Sequence, residues 1–163
     1  MCYNLNDKII LYLNYIMKTI IKNGMSYNQS GWKYISVYGN PKERGYAYGY
    51  LCADDFKEIQ KMLNFLMMES YGVEWSYLVT TISTDFSEMT KREFKELYEE
   101  MEGIAEGCSA NGCKTTVDEI IAWNFYMSIP YWYSTKSQTR IGKEGGSGDR
   151  CSAFMAVGDW TED

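Results

Sequence analysis

Gly148-Asp149-Arg150-Cys151-Ser152-Ala153-Phe154-Met155-Ala156-Val157 sets one thiol where a flexible stretch runs into an apolar, strand-like segment. Lys143-Glu144-Gly145-Gly146-Ser147-Gly148, just upstream, has nothing with which to build a core and reads as an exposed loop. A thiol at the mouth of a buried strand suits a nucleophile held on a rigid element. It equally suits a point of chain cleavage, and a cysteine in that position can also be a small buried apolar residue. Residues 151–157 form the last expected strand. A two-stranded sheet is marginal, so the pattern reads as the front part of a larger α+β protein. A small helical domain with one or two strands is the alternative.

Composition narrows the chemistry. The 163 residues suffice for one domain with one core, and 45% apolar with 16% aromatic content describes a chain that folds. Net charge is −6, and no basic stripe interleaved with aromatics occurs, which argues against nucleic-acid binding. There is no histidine. That removes Ser-His-Asp and Cys-His catalysis within the chain and the commonest metal ligand. The five cysteines are Cys2, Cys52, Cys108, Cys113 and Cys151, an odd number that leaves at least one without a partner in the chain. Cys108 and Cys113 lack the second pair that a zinc site needs. They read as two free thiols, or as a local disulfide if the chain is secreted. No residue pattern calls for a cofactor or a metal.

Upstream, the apolar run Ile9–Ile21 is shorter than the ~20 residues that span a bilayer. It fits a signal-like segment, an amphipathic helix or an extension before Met25, and residues 1–30 are set apart on that basis from a domain over 31–163. A signal segment would make the protein secreted or lysosome-like; its absence would make it cytoplasmic. Trp32–Val37 reads as a strand with Trp32, Tyr34 and Ser36 on one face and Ile35 and Val37 on the other. Gly39-Asn40-Pro41 supplies turn chemistry. A helix is expected over about 46–70, burying Phe56, Ile59, Leu63 and Leu66, with Gly72 as its stop. Gly45 and Gly49, four apart, suit a helix face that another backbone approaches closely. Trp75–Ile82 reads as either a short helix or an irregular link.

Thr90-Lys91-Arg92-Glu93 has capping-box spacing and predicts a helix over 91–106. Its apolar face is Phe94, Leu97, Tyr98, Met101, Ile104 and Ala105, and Gly107 closes it. Thr116-Val117-Asp118-Glu119 opens a further helix over 117–128, carrying Ile120, Ile121, Trp123, Asn124 and Met127 and ended by Pro130. Residues 134–148 read as an exposed linker, with Lys136, Arg140 and Lys143 open to proteases. Glu43 with Arg44 reads as an ion pair at a helix start, Glu102 with Glu106 as a solvated helix face, and Asn124 as a buried polar group bonded to backbone.

Four segments then resemble one family in order. Gly39-Asn40-Pro41-Lys42-Glu43-Arg44-Gly45-Tyr46-Ala47-Tyr48-Gly49 resembles the G-x-P-x-E-R-G-x-x-x-G opening of acyl-coenzyme A:6-aminopenicillanic acid acyltransferase-like proteins. Met101-Glu102-Gly103-Ile104-Ala105-Glu106-Gly107 is similar to their E-x-x-G-I-A-x-G segment, with Glu99 or Glu100 near its leading acid. Asn124 falls where they carry an asparagine. Cys151-Ser152-Ala153-Phe154 is similar to their nucleophile segment and to the Cys-Ser-Ala of phospholipase B-like proteins. The resemblance, over about residues 31–163, implies an N-terminal-nucleophile hydrolase with an αββα sandwich. It implies self-cleavage between Arg150 and Cys151, with Cys151 as catalytic residue. The substrate would be a small amide- or ester-linked acyl compound, turned over by hydrolysis or acyl transfer. The oxyanion donors would lie beyond Asp163, in a C-terminal part of the same fold. The competing reading is a non-catalytic remnant, or a helical interaction module needing a partner chain.

Overall fold

The computed structural model describes residues 18–137, and the backbone alone for 134–137. The fold is α+β and helix-rich, as expected. Its three strands are β1 (Lys18–Ile21), β2 (Gly24–Gln29) and β3 (Trp32–Val37), joined by tight turns into one antiparallel sheet of order β1-β2-β3. The helices are α1 (Pro41–Leu51), α2 (Ala53–Tyr71), α3 (Trp75–Glu93), α4 (Lys95–Ala110), α5 (Val117–Asn124) and α6 (Ile129–Ser137). Contacts group the chain into two compact units, residues 1–126 and 127–163. The second is represented by α6 and the end of a single 3-10 turn, Tyr126–Ser128.

The hairpin makes the last residues of the Ile9–Ile21 run a strand, and β2 pairs with β3 from Gly24↔Val37 to Gln29↔Trp32. Sheet register therefore runs across the boundary expected at residues 30 and 31. β3 has the expected bounds and alternation: Ile35 and Val37 are half-buried, whereas Trp32 and Tyr34 are exposed. Strand 151–157, which the sequence leads one to expect as a neighbour of 32–37 in one sheet, and residues 138–148 of the expected linker lie outside the described residues.

The helix expected over 46–70 is two helices. The first begins at Pro41, because Asn40 and Glu43 form a capping box. Asn40 Oδ1 accepts from the Glu43 amide at 3.0 Å, and Glu43 Oε2 accepts from the Asn40 amide at 3.1 Å. Pro41 at the first helical position needs no partner for an N–H it lacks. The joint is at Cys52 (φ −108°, ψ 10°), and α2 then runs to Gly72, whose left-handed φ of 67° ends it as expected.

Four further expectations are corrected. Thr90–Glu93 opens no helix: it is the last turn of α3, and the Thr90 hydroxyl donates to the Phe86 carbonyl at 2.8 Å instead of capping. The next helix starts at Lys95 and carries Gly107 in its buried interior, so Gly107 does not close it; the chain turns at Asn111 and Gly112. Phe94 and Leu97 are half exposed, and the buried face of α4 is Met101, Gly103, Ala105, Gly107 and Cys108. The helix expected over 117–128 ends at Asn124, and Pro130 does not end it: Pro130 sits in the first turn of α6, where proline is tolerated, so helical structure resumes there and takes in 134–137 of the expected linker.

The centre of the first unit is the crossing of α1 on α4. A Cβ on Gly45 would stand 2.1 Å from the Glu100 carbonyl oxygen, and one on Gly49 would stand 2.1 Å from that of Ile104. Reciprocally, Gly103 faces the Lys42 carbonyl at 2.2 Å and Gly107 that of Tyr46 at 2.1 Å. Backbone lies against backbone at all four positions, a spacing that no side chain survives. α1 also lies under β2 and β3, with the side chains of Ala47 and Leu51 against Gly24. Flanking the crossing, the Arg44 guanidinium donates to Glu100 Oε2 at 2.7 Å and Lys42 pairs with Glu106 at 2.7 Å. Arg44 therefore pairs across the helix interface and not with Glu43, whose carboxylate is spent on the cap.

Candidate functional site

Strand β3 and the helices packed beside it line a cleft of about 440 Å³. Strand β3 contributes only its inward residues, Lys33 and Ile35. Successive turns of α1 and α2 bring Tyr48, Cys52, Asp55, Phe56 and Ile59 along one wall, because residues three and four apart share a helix face. α4 supplies Ile104, and α5 supplies Ile120, Trp123 and Asn124. The walls are mostly apolar: Phe56 meets Trp123 at 5.7 Å between ring centroids and meets Tyr48 edge-on at 6.2 Å. Polar groups gather at the rim, where the Lys33 ammonium forms an ion pair with the Asp55 carboxylate.

Two groups of the cleft, the Cys52 thiol and the Tyr48 phenol, favour their protonated forms. Burial raises the Cys52 thiol above its ordinary value, against the nearby Lys33 ammonium, which lowers it. Burial likewise raises the Tyr48 phenol, and the two groups hydrogen-bond each other. A thiol so held carries less thiolate at neutral pH than an exposed cysteine. Asn124 is exposed on the cleft, not buried as expected; it does bond to backbone, donating to the Ile120 carbonyl at 2.9 Å. The arrangement can hold an apolar group of small-molecule size. It contains no nucleophile matched to a base.

Deeper still lie Cys108 and Cys113, both free and buried. The Cys108 thiol donates to the Gly49 carbonyl at 3.4 Å, and burial, aided by neighbouring Cys113, pushes its pKa up to about 12. Cys113 lies against Gln60 Oε1 at 3.5 Å and Thr115 Oγ1 at 3.3 Å. Among the described residues no group of three or more cysteines and carboxylates could hold a metal ion. No helix among them is long and apolar enough to cross a membrane.

Arg150 and Cys151 lie outside the described residues. The structure does bring together two other segments of the resemblance: Glu43–Gly49 and Met101–Gly107 are the two sides of the α1–α4 crossing. Asn124 stands on the cleft with Ile104. Sequence reasoning missed Lys33, Tyr48, Cys52 and Asp55 as cleft residues. One signal was available: Lys33 lies two residues from Ile35 and so shares its face of the strand, which puts a charge on the face that the helices cover. Comparison with protein-family models, curated proteins and solved structures gives no match to this chain.

Proposed function

We propose that this chain is the N-terminal part of a self-processing cysteine amidohydrolase or acyltransferase of the N-terminal-nucleophile type, with Cys151 as nucleophile. The observation that carries the reading is the α1–α4 crossing. Two segments that resemble the family, far apart in sequence, owe their glycines to each other, and their Arg44 and Glu100 meet in one ion pair. The spacing is thus a matched set with one structural cause, which a chance similarity would not supply. The layering is also of the kind the reading needs. Helices cover one face of the sheet, while its other face presents Ile20, Met25, Tyr27, Trp32 and Tyr34, with Trp32 72% exposed. Such a face suits a second sheet packed upon it.

The chemistry follows from the missing histidine. Before cleavage the Cys151 thiol adds to the Arg150 carbonyl carbon, the peptide C–N bond breaks, and the nitrogen takes a proton to become an α-amine. Water hydrolyses the resulting thioester, freeing the Arg150 carboxylate and the thiol. An α-amine has a pKa near 7.7–8.0, so about a tenth of it is neutral at pH 7 and can accept the thiol proton. The thiolate then attacks an amide or ester carbonyl; the leaving amine or alcohol departs with a proton, and water or an amine resolves the acyl-enzyme.

Intact mass and N-terminal sequencing of the protein made from its own gene test the reading. The wild type is expected to yield a chain beginning at Cys151, and Cys151→Ala is expected to stay uncut. Cleavage of the Ala variant at the same bond would assign the cut to an outside protease and sink the mechanism. A second reading, a non-catalytic module that needs a partner chain, draws on the same exposed aromatic face. It requires an uncut wild type that changes from an associating to a monomeric species when Trp32 and Tyr34 are replaced by serine.

A further inference from the structure

We propose that the cleft beside β3 binds a free α-amino acid with an aromatic side chain, its zwitterionic head on the Lys33–Asp55 pair and its ring among Tyr48, Phe56 and Trp123. Every residue that lines the cleft belongs to the first unit. The site needs nothing of Cys151 and stands whichever way the self-processing reading falls.

Charge complementarity fixes the head. Lys33 and Asp55 are the charged residues of the lining, and they pair with each other with side chains 30% and 51% exposed, open to a ligand. A simple anion drawn to Lys33 would meet the Asp55 carboxylate as well, and a simple cation drawn to Asp55 would meet the Lys33 ammonium. A ligand with both charges on one carbon escapes that conflict. Its carboxylate lies against the Lys33 ammonium and its ammonium against the Asp55 carboxylate, so the two zwitterions lie head to tail. Asn124 adds an acceptor. Its amide nitrogen donates to the Ile120 carbonyl at 2.9 Å and to the Met101 sulfur at 3.6 Å, which spends both hydrogens and leaves the amide oxygen to receive a ligand N–H.

The walls fix the tail. The Phe56 ring stands edge-on to Tyr48, at 86° between planes, and tilted by 58° to Trp123. The lining thus offers ring faces and ring edges together. A guest ring joins such an array through tilted and edge-to-face contacts, which an alkyl group of equal size does not gain. Ile35, Ile59, Ile104 and Ile120 complete the apolar lining. The volume of about 440 Å³ lies within the range of small-ligand sites, ~300–1,000 Å³, in which a few placed polar groups orient a mostly apolar guest.

Isothermal titration calorimetry of the full chain with L-phenylalanine and L-tryptophan tests the site. At least one should bind with a Kd below about 1 mM, and L-alanine should bind about tenfold or more weakly than it. Truncated heads divide the two charges. Phenylalanine amide, which lacks the carboxylate, and N-acetylphenylalanine, which lacks the ammonium, should each bind about tenfold more weakly than phenylalanine. Lys33→Met should abolish the preference for phenylalanine over its amide, and Asp55→Asn the preference over the N-acetyl compound. A partly exposed pair contributes little to stability, so both variants should keep nearly the wild-type urea midpoint. If Lys33→Met does not fold, Lys33→Gln is read by the same criterion. No binding of either aromatic amino acid, truncated heads that bind as well as the parent, or variants that keep both preferences would overturn the site. Intact mass of the same sample separates the two proposals: binding by an uncut wild-type chain keeps the site and removes the self-processing, whereas a chain cut at Arg150–Cys151 that binds neither amino acid does the reverse.

Discussion

The α1–α4 crossing and the cleft beside β3 share residues of the same helices yet obey opposite rules. At the crossing nothing but backbone fits: four glycines stand against four carbonyls at 2.1–2.2 Å of where a Cβ would be. At the cleft, one turn further along, Tyr48, Cys52, Phe56 and Ile104 line space that no described residue fills. Ile104 belongs to both, its carbonyl against Gly49 and its side chain on the cleft wall. Fixing the backbone of α4 at the crossing therefore fixes a wall of the cleft. The rigid contact is the positioning device, and the open volume is what it shapes.

The largest test of that contrast is Gly49→Leu. A side chain there must displace the α4 backbone, not merely a flexible neighbour, so the cost should exceed the ~1–3 kcal/mol typical of overpacking and leave little folded protein. Even Gly49→Ala should cost about 3 kcal/mol, at the top of that range. At the cleft, Ile104→Leu conserves volume and should cost under about 1.5 kcal/mol. Urea unfolding of the three variants measures the difference. Equal midpoints for Gly49→Ala and Ile104→Leu would mean that α1 and α4 can slide apart freely, and the positioning argument would fail.

Much of this contrast was legible in the sequence. Gly45 and Gly49 were readable as a close-approach face because glycine four apart on a helix has few other uses. Their partners were less so: Gly107, near the end of an amphipathic run, imitates a C-cap, and only the docking of α1 keeps it inside the helix. The N-terminus of α1 was written in Asn40-Pro41-Lys42-Glu43, and the turn-forming look of Gly39-Asn40-Pro41 obscured it. Thr90-x-x-Glu93 has the same spacing and caps nothing, because a hydroxyl already inside a helix can turn back to the preceding carbonyl. The run Val79-Thr80-Thr81-Ile82 hid α3 behind β-branched residues, although Trp75, Leu78 and Ile82 mark its buried face. The cleft was illegible as a unit, since its residues come from five elements whose meeting depends on the crossing.

Thiol chemistry sharpens the comparison at a smaller scale. Cys52 borders the cleft, while Cys108 lies under the crossing with its pKa pushed up to about 12. A raised thiol pKa favours the protonated form in the folded state. At pH 8 the folded protein should hold only about one Cys108 in ten thousand as thiolate, against roughly a quarter of a thiol at the ordinary value. The stability linked to Cys108 is complete well below the ordinary thiol pKa of about 8.5 and is lost as pH rises from there towards about 12, because the unfolded thiol ionises first. A maleimide probe at pH 8, read by peptide mass, should label Cys52 about tenfold faster than Cys108, which should react only through unfolding. Equal rates in native buffer would show that the crossing opens as readily as the cleft.

The smallest expected effect concerns the ion pair that flanks the crossing. The Arg44 guanidinium reaches Glu100 through both Nε and Nη2 at 2.7 Å, and both side chains are about a third exposed. If the glycine contact alone sets the helix spacing, this pair only trims it, with a coupling of about 0.5–1 kcal/mol, the usual scale for a partly solvated pair. A double-mutant cycle of Arg44→Gln and Glu100→Gln isolates that coupling, provided that neither substitution makes a new contact. Salt supplies the second readout. The coupling should shrink between low ionic strength and 1 M, where the screening length falls to about 3 Å, whereas the loss on Gly49→Ala should not shrink with it. A coupling above about 2 kcal/mol, or a glycine penalty that fades with salt, would make electrostatics the organiser of the α1–α4 contact. The matched glycines would then be a consequence of close approach, not its cause.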